Sequence, residues 1–353
     1  MRSFFIGDME IRLPIVQGGM GVGISLSGLS AAVANEGGIG VISCAGLGLV
    51  YSQPGITYFE ACILGLREEI RKARERSSGI IGVNIMVALS NFADMVRTAI
   101  EEKIDIIFAG AGLPLDLPSF LPENCHSKIV PIVSSDRAAR IICEKWQTRY
   151  NYLPDAIVVE GPKAGGHLGF KKVQLDDENY SIENLVKNVK DIVVQYKSQK
   201  TISVIAAGGI STGQDIRRMM ELGADGVQMA SIFVTTNECD ASKIFKDTYI
   251  DSKEEDVMII DSPVGMPGRA ISNVFLERVK EGLEVPTSCP FNCIKTCDYK
   301  NSPYCIILAL YQASVGNMKK GYAFAGSNAY KATEIRSVRE VIEQLKSEYL
   351  RDI

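Results

Sequence analysis

The 353 residues carry 38 Lys and Arg against 42 Asp and Glu, a formal net charge of −4, with 46% hydrophobic and 23% charged residues. That balance is globular. It leaves no basic run for a nucleic-acid backbone and no window near the roughly 18 consecutive apolar residues of a membrane span. The N-terminal stretch Met1–Glu10 lacks both the apolar run of a secretory signal and the Arg/Ser-rich character of a transit peptide. Nine cysteines, an odd number, favour reduced thiols over a disulfide framework. The expectation is a cytoplasmic protein that acts on a small molecule and uses neither nucleic acid nor membrane.

Short Val- and Ile-rich runs alternate with segments of helical period. Strands are expected at Leu13–Gln17, Gly40–Cys44, Gly82–Val87, Ile104–Ala109, Lys128–Val133, Asp155–Glu160, Ser203–Ala207 and Gly226–Ala230. Parallel strands covered on both faces read as continuous apolar runs, which these are. Helices are expected at about Leu26–Asn35, Tyr58–Glu75, Phe92–Glu101, Arg137–Tyr150, Ile182–Gln199 and Gly213–Leu222, with a short irregular piece after the fourth strand. This order favours an α/β fold of the closed (β/α)₈ TIM-barrel type over an open sheet. A dinucleotide fold is disfavoured, because no strand runs into G-x-G-x-x-G opening a helix, and Gly18-Gly-Met-Gly-Val-Gly is not that motif.

After about residue 235 the rhythm changes. A last barrel helix is expected over Asp240–Tyr249; then Ser262-Pro, Met266-Pro, Cys289-Pro and Ser302-Pro interrupt the pattern until an amphipathic helix at Val338–Tyr349. Residues 1–250 are therefore read as the barrel and 251–353 as a helical, loop-rich appendage on the substrate side.

Barrel active sites form at the C-terminal ends of the strands. The residues there are Gln17, Gly18, Gly19 and Met20 after the first strand, Asn84 in the third, Gly166 and His167 in the loop after the sixth, Ala207, Gly208 and Gly209 after the seventh, and Gln228, Ala230 and Ser231 at the eighth. A glycine turn after strand seven, with the backbone amides after strand eight and the helix opening at Gly213 and Asp215, is the phosphate-binding arrangement of such barrels. His167 is one of two histidines; imidazole exchanges protons near neutral pH, and the preceding Ala164-Gly-Gly lets the backbone approach a ligand. His126 is read as structural. Lys163 is read as a solvated loop lysine, with attraction of an anionic substrate or NADH as its alternative.

Cys289, Cys293, Cys297 and Cys305 read C-x₃-C-x₃-C-x₇-C. Free buried thiols are the default for them and no metal is assigned, although zinc or an iron–sulfur cluster is the chemistry such a grouping allows. If 292–298 were helical, Cys293 and Cys297 would share a face.

Pro14-Ile-Val-Gln-Gly-Gly-Met, Gly82-Val-Asn-Ile, Gly165-Gly-His-Leu-Gly, Ile205-Ala-Ala-Gly-Gly-Ile-Ser-Thr-Gly and Gly223-Ala-Asp-Gly-Val-Gln-Met resemble, in order, the nitronate monooxygenase (2-nitropropane dioxygenase) family. That family also includes enoyl-[acyl-carrier-protein] reductase II. The resemblance implies bound FMN, with Gln17, Gly18, Gly19 and Met20 lining the flavin, Asn84 bonded to it, Gly208, Gly209, Ala230 and Ser231 on its phosphate, and His167 over it. It implies oxidation of alkyl nitronates with O₂ to carbonyl compounds and nitrite, or alternatively NADH-dependent reduction of an enoyl thioester. Ala230-Ser231 stands where the family has Gly-Thr, keeping the hydroxyl but adding a methyl. Outside the family, a flavin-free phosphate-binding isomerase or synthase, or a non-catalytic flavin-binding protein, would also suit the barrel. Ala325-Gly-Ser-Asn resembles a stretch that returns towards the flavin, and reads equally as a turn.

Overall fold

The computed structural model describes residues 1–351. The chain opens with an antiparallel hairpin, β1 (Phe4–Ile6) and β2 (Met9–Ile11). Eight parallel strands follow with one short strand among them: β3 (Ile15–Gln17), β4 (Gly40–Ser43), β5 (Ile81–Met86), β6 (Ile106–Gly110), β7 (Lys128–Val133), β8 (Ala156–Glu160), β9 (Gly166–His167), β10 (Ser203–Ala207) and β11 (Gly226–Met229). All but β9 form one sheet in the order β3-β11-β10-β8-β7-β6-β5-β4.

The sheet closes between β3 and β4. Gln17 N–H donates to Ile39 O (2.9 Å), Ile39 N–H to Ile15 O (2.9 Å), and the Gln17 side-chain oxygen accepts from Val41 N–H (2.9 Å). The expected (β/α)₈ barrel is the observed fold, with strand limits displaced by a residue or two.

The crossovers carry α1 (Ser27–Asn35), α2 (Leu47–Val50), α3 (Tyr58–Arg76), α4 (Phe92–Glu101), α5 (Asp136–Tyr150), α6 (Ile182–Val194), α7 (Gly213–Glu221), α8 (Ser231–Val234) and α9 (Lys243–Ile250). Local chemistry starts several of them: Thr57 and Glu60 form a reciprocal capping box on α3, and Ser135 caps α5. After β6 there is only a 3₁₀ turn, Leu117–Phe120, as the missing helical period anticipated.

Inside the barrel, Val16, Val41, Phe108, Val130, Val158 and Ile205 pack together, and Phe4, Ile6 and Ile11 of the hairpin plug the floor. The hairpin has no counterpart in the sequence reading, because two three-residue strands give too short a period-2 signal. With the floor filled by side chains, a ligand has only the opposite mouth to enter.

Beyond the barrel lie β12 (Val257–Asp261), β13 (Pro267–Ile271), α10 (Val274–Lys280), α11 (Ile306–Ser314) and α12 (Val338–Leu350). β13 pairs antiparallel with β12 and, on its other edge, with β9, placing Gly268 opposite His167. α12 starts at a Ser337–Glu340 capping box and returns to the barrel, where Glu348 accepts from Gly213 N–H at 2.8 Å. The 292–298 stretch is a turn, not a helix, with Cys297 N–H donating to Ile294 O. Among the described residues no helix is long and apolar enough to cross a membrane.

Candidate active site

A cleft at the C-terminal mouth has two lobes, of about 340 and about 390 Å³. They meet along Gly19, Glu160, Gly166, Gln228 and Phe324, which line both.

The first lobe is a small-residue cradle. Gly208 and Gly209 sit at φ +96° and +81°, conformations that side chains rarely adopt. A Cβ on Gly208 would stand 2.9 Å from Gly161 O, and one on Gly209 2.8 Å from Lys163 Cβ. Opposite them the Ala325–Asn328 stretch folds in: Gly326 N–H donates to Ser231 Oγ (3.0 Å), and Asn328 Nδ2 donates to Gly209 O (2.7 Å) and Ser211 Oγ (3.1 Å). Ser327 Oγ is buried in this wall with no hydrogen-bond partner among the described residues. A buried hydroxyl left unpaired is costly unless a ligand completes it.

The helix after strand seven does not serve the cradle as its position suggested. Asp215 Oδ2 accepts from Ser211 N–H (2.9 Å) and Thr212 N–H (3.0 Å), and Glu348 takes Gly213 N–H (2.8 Å). The Ser211 and Thr212 amides just ahead of α7 and the Gly213 amide at its first residue are thus held by carboxylates, which disfavour a second anion there, while Asp215 N–H donates to Thr212 Oγ1. Lys163 is exposed, yet its chain forms part of the lobe's wall.

The second lobe holds His167 and shares Glu160 with the first. Asn84, near the end of β5, packs so tightly on Gly19 that a Cβ on Gly19 would overlap it. His167 is positioned by the β9–β13 pairing and by Arg269, whose Nη1 donates to Pro162 O and Ala164 O, both at 2.7 Å, fastening the loop that leads to His167. His167 Nε2 lies 2.7 Å from Ser262 Oγ, and its ring meets Phe324 edge to face with centroids 5.0 Å apart. Burial lowers its pKa to about 4, so the imidazole is neutral at pH 7. Glu160, at the tip of β8, faces both lobes, and burial raises its carboxyl to about 7. Such a group exchanges a proton near neutrality.

The expected residues are largely brought together. Gly18, Met20, Ala207, Gly208, Gly209, Ala230 and Ser231 line the first lobe, Asn84 and His167 the second, and Gly19, Gly166 and Gln228 both. Gln17 is the correction. Its side chain is fully buried and spends its oxygen on Val41 N–H, so it closes the barrel beneath the cleft instead of lining it. Glu160 was passed over although its position at a strand end was the signal. Ser262 and Phe324 carried no signal, because they reach the site from the appendage. His126 Nε2 pairs with Asp105 Oδ1 at 3.0 Å and lines neither lobe.

The sequence pattern of the family described as "Nitronate monooxygenase" matches residues 2–348. A "Probable nitronate monooxygenase" of Staphylococcus aureus (strain Newman) is 30% identical over 302 residues, covering 77% of this chain and 79% of that protein. The structure of FabK from Thermotoga maritima superposes with a TM-score of 0.72 at 27% identity, covering 96% of this chain and 93% of that one. A nitroalkane oxidase from Streptomyces ansochromogenes shares the fold, with a TM-score of 0.73 at 21% identity over 96% of each chain. A glycine cradle and a half-buried His–Ser pair at the mouth of this barrel, with a match over nearly the whole chain, place the protein among oxidoreductase enzymes: it belongs to the nitronate monooxygenase family.

Proposed function

We propose that the cleft binds FMN and that the enzyme oxidises alkyl nitronates with O₂ to carbonyl compounds and nitrite. The residues fit the cofactor. The Gly208–Gly209 turn packs this closely on Gly161 and Lys163 only because Cβ atoms are missing, which leaves main chain exposed to a phosphate, and Ser327 Oγ, without a partner among the described residues, offers it a hydrogen bond together with Ser231. Gly18, Gly19, Met20, Gly166, Gln228 and Asn84 would border the ring. FMN supplies, when bound, the electron acceptor and the reactivity towards O₂.

The observation that carries the reading is the state of His167. A nitronate arrives already deprotonated, so it needs a fixed polar partner and no strong base. His167 is that partner: neutral, with Nε2 engaged by Ser262 and the ring held by Phe324. It orients the nitro group by hydrogen bonding and carries no charge that would trap an anionic substrate. Glu160, titrating near 7, is the group able to remove the α-proton of a neutral nitroalkane.

We assign residues 1–250 to the cofactor barrel and 251–353 to a substrate-side appendage. Met266, Leu310 and Phe324 in the second lobe support the substrate-side part, while Ser327 of the same appendage returns to the cofactor lobe.

Anaerobic mixing with propionate-3-nitronate tests the proposal, with rapid bleaching of the flavin absorbance as the expected result. His167→Ala should keep the colour and lose turnover. A colourless protein that takes up no FMN would sink the cofactor assignment. A second reading, NADH-dependent reduction of an enoyl thioester, is supported by the likeness to FabK and by the apolar Met86, Leu113, Ile132, Val133 and Leu310 in the second lobe, which suit an acyl chain. Fast bleaching by NADH, with none by nitronate, would select it.

A further inference from the structure

Apart from His167 and Glu160, neutral side chains line the second lobe. Met86 reaches it from β5, Leu113 from the loop after β6, Ile132 from β7, Met266 from the turn between β12 and β13, and Leu310 from α11. Five separate elements thus turn an apolar side chain to one cavity. Two of the five are methionines, which adapt to ligands of differing shape. Ser135, also in the wall, spends its Oγ on Ala138 N–H.

Leu113 is held at this lobe from both sides. Ahead of it Ala111 and Gly112 sit at φ +52° and +130°, and a left-handed alanine persists only where its surroundings fix it. Behind it Trp146 Nε1 donates to Pro114 O at 2.9 Å. The leucine so placed lines the lobe and is still 40% exposed. A pinned apolar side chain in that state gains by being covered.

Charge decides what covers it. Among the described residues no Lys or Arg lines the lobe, and Glu160 is its one carboxyl. Two cations beside the His167 loop are committed elsewhere: Arg269 Nη1 donates to Pro162 O and Ala164 O, and Lys163 stands in the wall of the first lobe. A carboxylate on the substrate's tail would therefore lose water with no cation to pair with. A methylene in the same place gains about fourfold in affinity. We propose that the second lobe selects substrates with an uncharged alkyl tail over those that carry a second carboxylate, and that Leu113 covers the tail and sets this selectivity. The inference rests on the nitronate chemistry proposed above only for the identity of the reacting head group.

Steady-state kinetics with the nitronates of 1-nitropropane, 1-nitrobutane and 1-nitrohexane test it. Their kcat/KM should climb about fourfold per added methylene. Propionate-3-nitronate, close in length to the butane compound, should fall about tenfold or more below it. The difference should lie in KM, with bleaching at saturation within a few-fold across the set, because every head group meets the same His167. Leu113→Arg should raise kcat/KM for propionate-3-nitronate about tenfold by supplying the missing cation, and lower it for the hexane compound. Binding without turnover gives a second measurement, needing no variant: calorimetric titration of the wild-type protein, with FMN added, by hexanamide and by adipamate, which differ only in a terminal methyl against a carboxylate. Hexanamide should bind about tenfold or more tightly. Propionate-3-nitronate equal to the butane compound, a flat kcat/KM from three to six carbons, adipamate bound as well as hexanamide, or no binding of hexanamide overturns the proposal. An unchanged substrate ratio in Leu113→Arg overturns the assignment of Leu113. Nitronates left unoxidised while hexanamide keeps its advantage would instead sink the proposed reaction and leave the selectivity standing.

Discussion

His167 Nε2 and Ser262 Oγ meet at 2.7 Å across 95 residues of sequence, joining the loop after β8 to the turn between β12 and β13. The bond settles which imidazole nitrogen is occupied and in which direction the ring points. Removing it by Ser262→Ala should leave flavin content unchanged and lower kcat/KM for the nitronate about tenfold, the worth of one hydrogen bond of roughly 1.4 kcal/mol. Steady-state kinetics beside the flavin-to-protein absorbance ratio would check this; loss of flavin instead would show that Ser262 serves the fold.

His167 and Glu160 make opposite demands on pH. Burial lowers the His167 pKa from 6.5 to about 4, so the unfolded chain binds the extra proton first and stability falls as pH drops from 6.5 towards 4. The Glu160 pKa rises from 4.5 to about 7, so the folded state binds the proton first and stability grows as pH drops from 7 towards 4.5. Each contributes a few kcal/mol, about 1.4 per pKa unit, and the two largely offset. Urea unfolding of flavin-free protein should therefore show Glu160→Gln losing stability across that window and His167→Asn gaining it.

The reaction of neutral nitroalkanes depends on the ionised form of Glu160. Its kcat/KM should rise with pH through about 7 in the native enzyme. Glu160→Gln should flatten that limb and cost about a hundredfold or more, the usual share of a general base. Preformed nitronate should be turned over within a few-fold of normal by the same variant. An equal loss for both substrates would place Glu160 in cofactor binding.

Ser327→Ala separates holding the cofactor from holding the fold. Its Oγ has no partner among the described residues, so thermal stability without FMN should not fall and should rise as a buried unpaired hydroxyl is removed, whereas the FMN Kd should rise about tenfold through loss of a hydrogen bond to a charged group. Gly208→Ala should do both kinds of damage, because its Cβ would press on Gly161 O at 2.9 Å with φ at +96°. Equilibrium dialysis and a melting curve for each variant suffice.

Gln17→Leu should act on stability alone. It strands the buried Val41 N–H at the barrel seam, costing about 1–3 kcal/mol. Denaturant unfolding would register the loss while kcat of the surviving flavin-loaded enzyme stays near normal.

The eight barrel strands and their helices were legible because each leaves a local trace, an apolar run for a strand covered on both faces or a 3.6-residue period for a helix. The glycines at 18–19, 166 and 208–209 and the position of His167 were legible for a related reason: barrel topology puts every strand's C-terminal end at one mouth. Tertiary structure decided the rest. Gln17 looked like a site residue until the seam between β3 and β4 claimed its side chain, and the amides of Ser211, Thr212 and Gly213 looked free until Asp215 and Glu348 bonded them. Ser262 and Phe324 became site residues only when the chain beyond the barrel folded back over the mouth. Their partners lie tens to hundreds of residues away, and no local period encodes a contact of that range. The protonation states of His167 and Glu160 are of the same kind, since burial sets them and burial belongs to the assembled fold.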